Sequence, residues 1–99
     1  RMSVGPHTFR WIRANPEYHP FIEWLMGYVK EEWTTIDLKR DCPLYNADTT
    51  SRMLRKLWKF NIIVRVKRIT IPEMNFNNLH SVWRLNTEKL DLIKSAMED

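Results

Sequence analysis

Apolar residues recur every three or four positions along much of the chain, which is the spacing that buries one side of a helix. The pattern is clearest between residues 20 and 33, where the charged residues fall outside the apolar stripe. The stripe consists of Phe21, Trp24, Leu25, Tyr28, Val29 and Trp33. It predicts a helix over 20–33 whose aromatic side chains lie in the core.

A short N-terminal helix is predicted before this stripe. Pro6 suits a first helical turn, and Phe9 and Ile12 follow at a spacing of three on one face. The helix should end before Asn15, which precedes a proline. Trp11 lies off the apolar face, so it either packs on the rest of the domain or is offered to a partner subunit.

A second short helix is predicted after residue 33. Thr34 or Thr35 can cap its N-terminus. Its inward residues are Ile36, Leu38 and Cys42, and Pro43 ends it. Residues 44–47 then form a turn.

The next helix, predicted over 48–61, has the strongest division between apolar and charged positions. Asn46 or Asp48 can cap it, and Thr50, Leu54 and Leu57 form an apolar seam. Basic residues occupy the remaining arc: Arg52, Arg55, Lys56 and Lys59. Asn61 suits the left-handed position that follows many helices.

The β-branched run 62–71 predicts a strand. Its inward set changes parity, from Val64 and Val66 to Ile69 and Ile71, so we expect a bulge near Lys67 and Arg68. Residues 72–78 read as a hairpin loop and 79–85 as the returning strand. Asn86 or Thr87 can cap a last helix, which carries Leu90, Ile93 and Met97 on one face.

Charge is concentrated in this second half of the chain. The segment 49–72 contains no acid and seven basic residues: Arg52, Arg55, Lys56, Lys59, Arg65, Lys67 and Arg68. Since the whole chain carries +4, the remainder is net negative. A localised positive surface is typical of nucleic-acid binders, although a solvated charged face is an equally good explanation of the run alone.

Several function classes are disfavoured by composition. Cys42 is the only cysteine, which excludes an intrachain disulfide and a Cys-rich zinc module and fits a reducing, cytoplasmic setting. His7, His19 and His80 lack metal-ligand spacing. No Gly-rich phosphate loop, recognisable nucleophile–base spacing or membrane-length apolar run is present. We therefore expect no enzymatic activity, no cofactor, no metal and no membrane partner.

The order of the predicted elements, together with one motif, resembles the winged helix-turn-helix superfamily. The motif is Thr50-Ser51-Arg52-Met53-Leu54-Arg55-Lys56-Leu57 followed by Asn61-Ile62-Ile63, which is similar to the recognition-helix pattern of microbial regulators. Departures are Asn61 in place of the usual glycine, a longer turn containing Pro43, and apolar Met74 and Phe76 in the loop of the wing.

The resemblance implies an α+β, mostly α fold: a three-helix core, a two-stranded β-hairpin wing, and extra N- and C-terminal helices. The expected divisions are an arm over 1–19, the winged domain over 20–86, and a C-terminal helix over 87–99 that is a possible dimerisation element. The expected function is that of a small transcriptional regulator, a homodimer that binds double-stranded DNA.

In that function, helix 48–61 enters the major groove and wing 62–85 meets the backbone or minor groove. The expected base-reading residues are Thr49, Ser51, Arg52 and Arg55. The expected backbone contacts are Thr50, Lys56, Lys59, Arg65, Lys67 and Arg68, with free N–H groups at Thr49 and Thr50 holding a phosphate. The expected wing-tip contacts are Asn75, Phe76, Asn77 and Asn78.

A second hypothesis is a protein-interaction module of a replication, transcription or viral assembly. It follows from three aromatic residues that are hard to place in one small core: Trp11, Trp58 and Phe76. Binding of RNA or single strands by base stacking on these aromatics is a third, less supported variant.

Overall fold

The fold is α+β and mostly helical, with a three-stranded antiparallel sheet. The computed structural model describes residues 5–71 and 79–98, with side chains from His7 onward. Its helices are α1 (Gly5–Ala14), α2 (His19–Met26), α3 (Thr35–Asp41), α4 (Ala47–Lys59) and α5 (Leu90–Met97). Its strands are β1 (Trp33–Thr34), β2 (Ile63–Thr70) and β3 (Leu79–Leu85), and 3-10 turns at Pro16–Tyr18 and Thr87–Lys89 precede α2 and α5.

The helix predicted over 20–33 is too long, because α2 ends at Met26. The backbone leaves the helical conformation at Gly27, and the side chain of Val29 is 90% exposed. Trp33 is buried, but as a strand residue that pairs with Trp83. The two-stranded sheet of the prediction therefore gains β1, in the order β1-β3-β2.

The short helix α3 begins as predicted. The Thr34 hydroxyl accepts a hydrogen bond from the Asp37 backbone N–H, and the Asp37 carboxylate accepts one from the Thr34 N–H. This reciprocal capping box satisfies two N–H groups at the helix terminus. Leu38 and Cys42 are buried, as expected for the inward face.

The end of α4 confirms the left-handed position predicted for Asn61, whose φ is 63°. The Asn61 N–H donates to the Trp58 carbonyl and the Ile62 N–H to the Leu57 carbonyl, which is the Schellman arrangement. Asn86 does not cap the last helix with its side chain. Instead its Nδ2 donates to the Asn61 carbonyl at 2.9 Å, tying the start of the segment that leads to α5 to the end of α4.

The predicted irregularity in β2 is present one position earlier than expected. Arg65 pairs with Trp83 and Lys67 with Val82, so Val66 is the extra residue. The predicted inward set is partly wrong, because Ile63 is buried and Val66 is 40% exposed.

The terminal helices α1 and α5 pack on each other and contribute to the same core as the rest of the chain. Their buried residues include Ile12, Ile93 and Ala96. Trp11 stacks on Phe60 with ring centroids 4.6 Å apart, so it packs on its own domain. These contacts use the apolar faces of both helices within one chain.

Candidate nucleic-acid interface

Helix α4 separates a buried seam from a basic arc. Thr50, Met53, Leu54 and Leu57 are buried, and the exposed side chains of the arc are Arg52, Arg55, Lys56 and Lys59. Arg52, Arg55 and Lys59 stand at i, i+3 and i+7 and therefore share one face. The sequence predicted this division correctly, because the buried seam and the basic arc both follow from the spacing of residues within one helix.

The N-terminus of α4 differs from the prediction. Asn46 caps it: its Oδ1 accepts from the Thr49 N–H at 2.8 Å, and its backbone carbonyl accepts from the Thr50 N–H at 2.9 Å. The side chain of Thr50 is fully buried. The prediction of a Thr50 contact to DNA, and of free N–H groups at Thr49 and Thr50, is therefore wrong.

The four residues expected to read bases do not all share one face. Thr49 and Ser51 are two positions apart, which places them about 200° apart around the helix axis, on opposite flanks of the basic arc. Both are partly buried, whereas Arg52 and Arg55 are exposed. A guanidinium nitrogen of Arg52 donates to the Thr49 hydroxyl at 3.3 Å. The structure thus brings Arg52 and Arg55 together as the centre of the exposed face.

The bulge at Val66 determines which basic residues of β2 share a face. Arg65 pairs with Trp83 and Arg68 with Ser81, and since alternate residues of a strand point the same way, these four share one face of the sheet. Lys67 pairs with Val82 and points to the other face. The strand's basic residues are therefore divided between the two faces of the hairpin.

Trp58 connects the basic arc of α4 to the strand. Its ring lies 5.4 Å from that of Trp83 in an edge-on contact, and the Arg65 guanidinium lies 5.5 Å from its centroid. The Trp58 side chain remains 45% exposed. Together with Arg55 and Lys59 it lines a shallow groove of about 480 Å³. We call Arg55, Trp58, Lys59 and Arg65 the Trp58 surface.

Trp58 and Trp83 were absent from the site residues predicted by the sequence. Their proximity depends on packing between α4 and β3, which no local spacing reveals. The available signal was Trp58 itself, a large aromatic outside the apolar seam and among basic residues. The predicted wing-tip residues Asn75, Phe76, Asn77 and Asn78 lie outside the described residues.

The positive charges of this region have no acidic partners in the part of the chain that the structure describes. The salt bridges there join Lys30 to Asp37 and Arg40 to Asp37 and Asp41, all around α3. None involves the basic residues of α4 or β2. Cations without an acidic partner keep their charge un-neutralised and available to an external anion.

The acidic cluster around α3 has perturbed ionisation. A hydrogen bond from Arg40, followed by one from the Tyr28 hydroxyl, holds the pKa of Asp41 well below its usual range. Partial burial and the hydrogen bond to Asp41 raise the pKa of Tyr28 to about 12. For Asp37, burial raises the pKa, but the Thr34 N–H and the charges of Lys30 and Arg40 outweigh it and lower the pKa.

Residues 5–71 and 79–98 show neither a metal-binding cluster nor a membrane-spanning helix. That part of the chain contains no cluster of three His, Cys, Asp or Glu side chains arranged to hold a metal ion. No helix in it is both long enough and apolar enough to cross a membrane. His19 has a structural contact, since its Nε2 lies 2.8 Å from the Ile12 carbonyl oxygen.

No protein family, curated protein or solved structure matches this chain in the comparisons with known proteins.

Proposed function

We propose that this protein binds double-stranded DNA through α4 and the β2–β3 hairpin, as a winged helix-turn-helix module of a small transcriptional regulator. The observation that carries the proposal is the basic surface of α4 and β2, which has no acidic partner among the described residues. Free cations on two adjacent elements are the electrostatic requirement for holding a phosphate backbone. A cytoplasmic location is part of this proposal.

The orientation of α4 in the fold supports the same interface. The major groove of B-DNA is about 12 Å wide and admits one α-helix. Because the buried seam of α4 faces the core, its opposite arc with Arg52, Arg55 and Lys59 is the side available to a groove. Arg52 and Arg55 would contact base edges, while Lys56, Lys59, Arg65 and Arg68 would contact phosphates.

The test is binding to a fluorescent random-sequence duplex, measured by anisotropy at low and moderate salt. We expect the double variant Arg55→Ala/Lys59→Ala to bind about tenfold or more weakly, because two phosphate or base contacts are lost. The matched control is Lys39→Ala/Lys94→Ala, which removes the same charge from exposed positions on α3 and α5.

If both double variants weaken binding equally, net charge alone explains the loss and the α4 surface is not the binding site. If the wild type does not bind at low salt, DNA binding is refuted.

Sequence reading is tested separately with Arg52→Ala. We expect this variant to weaken binding to a site selected from random DNA about 5- to 150-fold while changing random-duplex binding little. An equal loss on both would remove Arg52 as a base-reading residue.

A second candidate is a winged-helix module for protein assembly, and Trp58 is the observation that favours it. Half-exposed tryptophans are enriched at protein interfaces. The protein-assembly hypothesis has less support than the sequence suggested, because Trp11, one of the aromatic residues on which it rested, stacks on Phe60 inside the domain. A homodimer stays a prediction, and its contact requires surfaces other than the buried faces of Ile12, Ile93 and Ala96.

A further inference from the structure

The Trp58 surface differs from an ordinary phosphate-binding surface because an aromatic ring lies at its centre. Trp58 is 45% exposed, Arg55 and Lys59 of α4 line the same groove, and the Arg65 guanidinium of β2 lies over its ring. The basic side chains account for contacts to a phosphate backbone, but a phosphate gains little from a half-exposed indole. The ring therefore needs a separate explanation.

Between its ends, an intact duplex offers no base face to this ring. Its base faces are stacked on one another, and only base edges, sugars and phosphates are accessible in the grooves. An unpaired nucleotide, by contrast, exposes a face that stacks on aromatic side chains while its phosphate meets nearby cations. The combination of one indole and three nearby cations matches the base and the phosphate of such a nucleotide.

We propose that the Trp58 surface binds an unpaired base of a DNA strand next to the duplex held by α4. The preferred ligand is then a duplex with an overhang rather than a blunt duplex. The inference rests on the proposed DNA-binding function, and it assigns to that interface a ligand class, a junction between double- and single-stranded DNA.

Two contacts of Trp58 make the ring suitable for this role. The edge-on contact with Trp83 holds one side of the indole against the sheet, which reduces the side-chain freedom that binding would remove. Arg65, which is exposed, is the side chain that a base would displace or join in the stack. An exposed cation–π contact is worth about 2- to 5-fold in an equilibrium constant, whereas stacking of a base on an aromatic is worth about 5- to 150-fold. Stacking of a base therefore prevails over the Arg65 contact.

The experiment compares one blunt duplex with the same duplex carrying a four-nucleotide single-stranded overhang, in either polarity, by anisotropy at constant salt. For the wild type we expect at least fivefold tighter binding to one of the two overhang duplexes. Trp58→Phe keeps an aromatic face and should retain most of that preference. Trp58→Leu keeps apolar volume without a stacking surface and should bind all three duplexes alike.

The possible failures are distinguishable. If the wild type binds blunt and overhang duplexes equally, or if Trp58→Leu retains the preference, the base-stacking site is refuted while DNA binding stands. If the wild type binds none of the duplexes, the proposed function and this inference both fall. Circular dichroism melts of both variants check that the fold is intact, and equal binding of blunt and overhang duplexes by the wild type refutes the stacking site even if Trp58→Leu does not fold.

Discussion

Asn61 ends helix α4 in a conformation that most residues avoid. Its φ of 63° lies in the left-handed region, where a side chain with Cβ crowds the backbone and only glycine is free of the cost. Asparagine tolerates this region better than alanine does. We therefore expect Asn61→Ala to lower the free energy of unfolding by about 1 kcal/mol, and Asn61→Gly to leave it within about 0.5 kcal/mol of the wild type. Urea denaturation of the three proteins measures the difference, and an alanine variant as stable as the wild type would contradict the assignment.

Residues with a local role were the ones that the sequence predicted best. The Asn61 turn, the Asn46 cap and the Thr34 cap each depend on the chemistry of a few neighbouring residues. Asn86 is the contrasting case. Its side chain bonds to the Asn61 carbonyl, 25 residues earlier in the chain, and sequence spacing carries no information about such a contact.

At the scale of elements, the main error was the length of the helix after Pro20. The residues Tyr28, Val29 and Trp33 continue the helical period, yet the backbone leaves the helix at Gly27. Glycine weakens a helix interior, and Trp33 buries its ring by pairing with Trp83 in the sheet. A tertiary contact thus overrides a periodic pattern. The bulge at Val66 is a case in which the local pattern was sufficient, since the change of parity in the sequence located the bulge within one or two residues.

Helix α3 carries a pH dependence that can be tested with one substitution. The pKa of Asp37 is lowered despite its burial, because the Thr34 N–H, Lys30 and Arg40 stabilise the carboxylate. A carboxylate whose folded pKa lies below its unfolded value stabilises the fold above the unfolded value of about 4, and this contribution disappears as the pH falls through the folded pKa. The free energy of unfolding should therefore decrease as the pH is lowered from about 5 toward 2.

We expect Asp37→Asn to be less stable than the wild type by under about 1 kcal/mol at pH 7, since the amide oxygen can still accept the Thr34 N–H but the ion pairs are lost. The variant should also show a shallower loss of stability below pH 5. Chemical denaturation at several pH values measures both effects. Glu23→Gln, at an exposed position of α2, is the charge control. Below pH 5 the stability of Asp37→Asn should fall less steeply than that of this control, and equal slopes for the two variants would show that Asp37 does not contribute.

At the scale of the whole molecule, the charge asymmetry was fully visible in the sequence, but its arrangement in space was not. The net charge of +4 comes from a strongly basic segment and a net negative remainder. The ion pairs of the described residues all lie around α3, and none of their acidic side chains pairs with the basic arc of α4. Which side chains of β2 join that arc depends on the bulge and on strand pairing, both of which involve residues from different parts of the chain.

That arrangement leads to different expectations for two neighbouring cations. Arg68 shares the sheet face of Arg65 and Trp83, where Trp58 of α4 packs, whereas Lys67 points to the opposite face. Each cation that meets a phosphate adds about 0.9 to the steepness with which log affinity falls against log salt. We therefore expect Arg68→Ala to reduce the magnitude of the slope of log affinity against log salt concentration by about 1, and to weaken binding to all duplexes alike. Lys67→Ala removes the same charge at an adjacent position that is also exposed, and it should reduce the magnitude of the slope less than Arg68→Ala does. Titrations between about 50 and 200 mM salt measure both slopes, and a larger change for Lys67→Ala would place the duplex on the other side of the hairpin.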